Sequence, residues 1–336
     1  MAFPYPTITM EEHWLSQSVR DFYHAKGVTD PYDENGLIGT LTSTLAEFGE
    51  NRLQAMDDAG VTLQVVSHAP NSLALDTATC AKVNNELAGL IKFRPKRFAG
   101  FATLPMAHPE DAGEELRRCV QQLGFVGALI DSNCEGRFYD NAHFWPVFRA
   151  AEELDVPNIC TPLRMSRPNI FYTMATIRHL LQSVSASMAG VGTNETAIHL
   201  LRLFAAGLFD RYPKLKLVLG HLGEMLPFQL DRIEGITARQ WPFLGLKLER
   251  HLRQVWDENV WITTSGMFHL APMAAVLRQC KPDRIIYSVD YPFSSNVTGL
   301  EFLKTLKTEG LVSDEVLGGI AYRNAERLLK IEAVSS

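Results

Sequence analysis

Apolar residues along this chain fall into short runs, and between the runs they recur at helical spacing. The runs are Thr7–His13, Leu63–His68, Phe98–Thr103, Val126–Ile130, Val156–Thr161, Leu215–His221, Val260–Ser265 and Ile285–Asp290. Most are rich in Val, Ile and Leu with little strict alternation, as in strands buried on both faces of a parallel sheet. Helical patterns lie between them, among them Asp76–Lys92, Pro109–Leu123, Thr196–Arg211 and Ala271–Gln279. Pro and Gly punctuate the joins. Strand–helix alternation of this regularity predicts an α/β fold with a parallel sheet, and eight strands predict closure into a (β/α)₈ TIM barrel. Such barrels run to this length as one unit, so residues 1–336 are expected to form a single domain. Two connections are longer than simple joins, Trp14 to about Ala46 and Pro162 to Met188. Both are expected to cross or cover the barrel mouth.

Composition narrows the class of partner. Of 336 residues, 46% are hydrophobic and 21% charged, enough to bury a large core without disulfide staples. The net charge is −6 with both signs mixed along the chain, and no basic block marks a nucleic-acid partner. The five cysteines are scattered with no C-x-x-C pair, which argues against a zinc knuckle or a disulfide framework and for a reducing compartment. The N-terminal stretch lacks a basic region and a long apolar run, and no run is long enough to cross a bilayer. A cytoplasmic protein without a membrane partner is expected.

Barrel enzymes carry their chemistry at the C-terminal ends of the strands. The first run ends Glu11-Glu12-His13, the second at His68, the fifth at Thr161 and the sixth at His221, with Glu224 three residues on. The seventh ends Thr263-Thr264-Ser265 and the eighth at Asp290. Glu11 and His13, two apart, share a strand face, and strands one and eight become neighbours when the barrel closes. Two carboxylates and an imidazole form a donor set suited to zinc or manganese. Taken singly, each is more often a hydrogen-bonded group near a core; their joint position at strand ends reverses that preference and favours a site.

Longer stretches carry a family resemblance. The most specific is Leu208–Glu224, LFDRYPKLKLVLGHLGE, continuing through Pro227 to Arg232. Met10–His13 (MEEH), Phe101–Met106 (FATLPM), Gly124–Leu129 (GFVGAL), Trp261–Gly266 (WITTSG) and Ser288–Phe293 (SVDYPF) support it. Together they resemble the amidohydrolase-2 group of nonoxidative decarboxylases, which act on 2,3-dihydroxybenzoate, γ-resorcylate or salicylate, and more distantly the aminocarboxymuconate-semialdehyde decarboxylase. The resemblance implies an amidohydrolase-type barrel and a divalent metal held by Glu11, His13 and Asp290. It also implies catalytic roles for Asp290, His221 and Glu224, a substrate pocket including His68, Thr161, Arg232 and Phe293, a small aromatic acid as substrate, and a homodimer or homotetramer.

One departure stands out. The family's fifth strand resembles Val-Pro-x-x-x-His-Pro, with the histidine a metal ligand, whereas this chain reads Val156-Pro-Asn-Ile-Cys-Thr161-Pro162. Asp131 also stands where relatives carry Asn. Three readings stay open: a metal held by the remaining ligands and water in a decarboxylase, a hydrolase or hydratase on the same barrel with or without the metal, and a catalytically silent binding protein.

Overall fold

Among the described residues, eight parallel strands form in chain order. β1 (Ile8–Trp14), β2 (Leu63–His68) and β3 (Phe98–Gly100) make one hydrogen-bonded sheet. β4 (Ala128–Asp131), β5 (Pro157–Thr161), β6 (Lys216–Leu219), β7 (Val260–Thr263) and β8 (Ile285–Ile286) make the other. The computed structural model describes residues 3–33, 39–71, 73–161, 192–245 and 247–332.

The two sheets close on each other at two seams. Between β3 and β4, Ala102 bridges Ala128, and the Val126 and Ala102 amides donate to the carbonyls of Gly100 and Gly127. Between β8 and β1 a side chain stands in for the ladder. Ser288 Oγ accepts from the Met10 and Glu11 amides at 3.1 and 2.8 Å, while the His13 amide donates to the Tyr291 carbonyl at 2.7 Å. The ring is thus the expected (β/α)₈ barrel.

Alternate residues of each strand fill its two faces. Ile8, Met10, Leu63, Val65, Phe101, Leu129, Ile159, Val218 and Ile286 pack together as the inner layer, and Leu328 and Leu329 pack with them. Val66, Ala102, Ile130, Cys160, Leu217 and Ile262 belong to a larger cluster shared with the surrounding helices. Burial of each such side chain contributes about 1.5–3 kcal/mol. The helices begin and end where local chemistry allows. Asp76 caps Thr77–Lys92 by accepting from the Thr79 amide at 2.8 Å. Pro109 opens Pro109–Leu123, and Gly124, at φ +74°, ends it.

The described part of the segment from Trp14 to Ala46 contains two short helices, Gln17–Ala25 and Gly39–Ala46. Its Leu15, Tyr32 and Leu45 cluster with Ala69 after β2, and Phe293 packs on them. The excursion therefore lies beside the ends of β1, β2 and β8. Pro162–Met188, the second expected cover, lies outside the described residues. Among the described residues no helix is long and apolar enough to cross a membrane.

Candidate active site

The site begins with an irregularity in β1. Ile8 and Thr9 pair with Leu63 and Gln64, but the next pair is Glu12 with Val66, so Met10 and Glu11 share the space opposite Val65. This bulge changes the parity of the strand. Upstream, Ile8 and Met10 fill the inner layer. Strict alternation would then have turned Glu12 inward and Glu11 and His13 outward. With the extra residue, Glu11 and His13 both face the barrel mouth.

There the charged groups gather. His13 Nε2 lies 3.1 Å from Asp290 Oδ1, and His221 Nε2 lies 3.7 Å from Asp290 Oδ2. On its other side, His221 Nδ1 is 3.3 Å from Glu224 Oε1 and 4.0 Å from Glu11 Oε1. His221 thus faces three carboxylates. Burial alone would lower its pKa, but the Asp290 contact and the charges of Glu11, Glu224 and Asp290 outweigh that and push it up to about 10. Burial, with the charges of Glu11 and Asp290, pushes Glu224 up to about 7 against the pull of His221. Asp290 is partly buried, which raises a carboxyl, yet its two histidines hold it below the usual carboxylate range.

Backbone strain concentrates here. His221, Leu222, Glu224 and Asp290 all have positive φ, between 51° and 71°, a region that costs a non-glycine residue about 1–3 kcal/mol. Gly220 is required for another reason. A Cβ at this position would sit 2.5 Å from Glu11 Oε1. Glu11 Oε2 accepts from Thr263 Oγ1 at 2.8 Å and from Ser265 Oγ at 2.5 Å, whereas buried Oε1 has no hydrogen-bond partner among the described residues.

Glu12, which the pattern of strand ends does not single out, holds the seam. Its Oε1 accepts from Ser288 Oγ at 2.9 Å and from the Val289 amide at 3.0 Å, and its Oε2 accepts from the Tyr291 amide at 2.7 Å. The carboxylate therefore grips the backbone on both sides of Asp290. Burial outweighs these bonds and raises its pKa to about 7. Arg52, also fully buried, donates from Nη2 to the His13 carbonyl at 2.7 Å. Glu12→Gln leaves one backbone amide facing another donor. It is expected to destabilise the fold by about 1–3 kcal/mol, read as a lower midpoint in urea unfolding with unchanged slope.

The remaining expected residues are distributed as follows. Phe293 stands edge-on to His13 with ring centroids 5.4 Å apart. His68 is buried beside Trp14, with Nδ1 2.6 Å from the Ala69 carbonyl. It lines a cavity with Asn71, Thr103, Asp131 and Tyr139. Arg232 is exposed on the helix Leu226–Gln240, and no ion pair or hydrogen bond joins it to the cluster among the described residues. Thr161 ends β5 in register with Asp131 of β4; its side chain lies outside the described residues. Burial pushes the Asp131 carboxyl up to about 8. The folded chain thus keeps a proton there between about pH 4 and 8 that the unfolded chain has lost, so this group lowers stability as pH rises through that window. Asp131→Asn removes the penalty. Its stabilising effect is expected to be about 1–3 kcal/mol larger at pH 8 than at pH 5, measured as unfolding free energy at the two pH values.

Among the described residues no three His, Cys, Asp or Glu side chains converge as a ready-made metal site. His13 and Asp290 are closed onto each other, and Glu11 meets the cluster through His221. The donor chemistry nonetheless fits a divalent ion. A buried carboxylate oxygen without a hydrogen-bond partner among the described residues, Glu11 Oε1, lies within a group carrying two further carboxylates. A cation would satisfy that oxygen and offset the repulsion.

Barrel, strand-end cluster and comparison with known proteins agree on the class. Residues 41–331 match the amidohydrolase family model Amidohydro_2. The chain is 42% identical over 331 residues to "Decarboxylase orsB" of Emericella nidulans, covering 97% of each chain. It is 33% identical over 303 residues to a γ-resorcylate decarboxylase of Polaromonas sp., covering 87% of this chain and 90% of the relative. Among solved structures, the dihydroxybenzoic acid decarboxylase of Polaromonas sp. JS666, with bound manganese and the inhibitor 2-nitroresorcinol, superposes with a TM-score of 0.81 at 30% identity, covering 97% of both chains. The chain belongs to the amidohydrolase family, and within it sits among the carboxy-lyases.

Proposed function

We propose that this chain is a nonoxidative decarboxylase of a small ortho-hydroxylated aromatic carboxylic acid. The observation that carries the reading is the Asp290 carboxyl held between His13 and His221 at the mouth of the barrel, beside the unpartnered oxygen of Glu11. Glu11, His13 and Asp290 would hold a divalent ion, zinc or manganese, which supplies positive charge against the substrate's carboxylate and neighbouring oxygen. Manganese in the Polaromonas neighbour supports this assignment.

The chain's own residues manage the proton. His221, facing three carboxylates, is the group that stores it, and Glu224 holds the ring by its Nδ1 side. From His221 Nε2 the proton passes to Asp290 Oδ2 and on to the ring carbon that bears the carboxylate. The carbon–carbon bond then breaks, its electron pair returns to the ring, and CO₂ leaves. The carboxylate and one proton become CO₂ and a C–H bond. Phe293 and His68 are assigned to the wall of the substrate pocket. Thr161 is assigned there as well, and Arg232 to its outer rim.

The test is turnover of a hydroxybenzoate panel by metal-loaded protein in ¹⁸O-labelled water. CO₂ and the matching phenol are expected only from acids with an ortho hydroxyl. A product carrying label from water, with no CO₂ released, would place the chain with hydrolases or hydratases instead.

A further inference from the structure

The seam between β8 and β1 uses one more side chain than Ser288 and Glu12. In a strand, the amide and carbonyl of one residue point the same way. The His13 carbonyl therefore faces the seam across which the His13 amide donates to Tyr291. The β8 ladder ends at Ile286, so no strand supplies that carbonyl with a donor. Arg52 supplies it, reaching from the helix Glu50–Asp58 to donate from Nη2 at 2.7 Å.

Stability alone does not account for an arginine there. The side chain is fully buried, and burial lowers its pKa only to about 10, so it stays charged at neutral pH. Its bonds go to neutral acceptors, Nε to Gln64 Oε1 at 3.0 Å and Nη2 to the His13 carbonyl. The third nitrogen, Nη1, is shielded and has no hydrogen-bond partner among the described residues. A buried charge held this way commonly stabilises less than an apolar residue of similar volume. A guanidinium can, however, fix several pieces of chain at once. Gln64 of β2, between the inward-facing Leu63 and Val65, pins one edge of the fork. The rings of Phe48 and Tyr291 lie against it, their centroids 5.3 and 5.0 Å from Cζ. Tyr291 directly follows Asp290, and His13 Nε2 meets Asp290 Oδ1 at 3.1 Å. Arg52 thus touches His13 itself and the neighbour of Asp290, from the side of the strand away from the barrel mouth.

We propose that Arg52 is a positioning residue for the reaction: by gripping the His13 carbonyl while stacking on Tyr291, it fixes the approach of His13 to Asp290. The proposal rests on the decarboxylase reading for the step that this approach serves, though not for the grip itself.

The test is Arg52→Lys, which keeps the charge but cannot bond Gln64 and His13 together. In metal-saturated protein, kcat is expected to fall by about 10–100-fold with KM within about threefold of wild type, since a small misplacement of the acid slows the proton transfer more than it weakens substrate binding. A purely structural role would lower the unfolding midpoint and leave kcat of the folded protein unchanged, and that result overturns the proposal. A second readout needs neither turnover nor metal. In metal-free protein the ring ¹⁵N NMR signals of His13, identified by their loss in His13→Gln, are expected to move in Arg52→Lys, while those of exposed His251 stay in place. Should Arg52→Lys not fold, Gln64→Leu leaves the cation in place, frees its Nε and is expected to move the same signals. Unmoved His13 signals in the folded variant overturn the proposal, whichever reaction the barrel performs. Moved signals, in a protein whose wild type decarboxylates no hydroxybenzoate, would uphold the grip on His13 and remove the decarboxylase reading instead.

Discussion

Asp290→Asn is expected to lower turnover by about 10²–10⁴-fold, the usual cost of losing a positioned acid or base, while the chain stays folded. Asn keeps the size of the side chain, and the backbone of this segment is held independently of it. The Glu12 carboxylate binds the amides on either side, and Ser288 ties the same stretch to β1. The substitution removes the relay instead. An amide takes no proton from His221, and its NH₂ must face either His13 or His221, each now placed against a carboxylate oxygen at 3.1 or 3.7 Å. The measurement is CO₂ release in a single turnover, alongside thermal unfolding and elemental analysis. Near-normal turnover in a variant that still binds metal would remove Asp290 from the mechanism and leave His221 with Glu224 as the acid–base pair.

The sequence pattern placed all eight strands, and the reason is physical. Runs of Val, Ile and Leu bounded by Pro and Gly have few other structures open to them in a chain of strand–helix units. It overran the ends of some, β8 most of all. Ile285–Asp290 reads as one strand, but the ladder covers only Ile285–Ile286, because beyond it a serine hydroxyl and the Glu12 carboxylate replace main-chain pairing with β1. The same seam explains why Glu12 escaped notice. A lone glutamate between two expected ligands reads as an outward-facing strand residue, and only the closed ring shows what it grips.

The convergence of Glu11 and His13 was legible from their spacing, yet the spacing was only half of the reason. Two residues apart means a shared face, but which face depends on a bulge at Met10–Glu11 that no local pattern announces. The Gly220 contact with Glu11 is equally hidden, since it joins residues 209 positions apart in sequence (220 − 11) that meet across the barrel. His221 and Glu224 were readable because their geometry is local. The cavity beside His68 was not, because it depends on which side chains the closed ring brings together at the ends of β2 and β4.

Thr161→His is expected to tighten metal binding by about 10–100-fold. The resemblance implies a histidine ligand at the end of the fifth strand, and the backbone of Thr161 occupies that place, opposite Asp131 on β4, with β6 leading to His221 on the other side. An imidazole nitrogen bonds zinc or manganese directly, whereas a neutral hydroxyl offers little. Even a group in the outer shell of a metal commonly changes affinity by about 10–100-fold, so a direct ligand should do at least that. The alternative is that Glu11, His13 and Asp290 carry the ion with water and that strand five takes no part. Competition against a chelator of known strength separates the two, with Thr161→Ala as control. The control should bind metal much as the wild type does, since it removes only a hydroxyl. Equal affinity in Thr161→His and wild type would show that the fifth strand does not reach the metal in this chain.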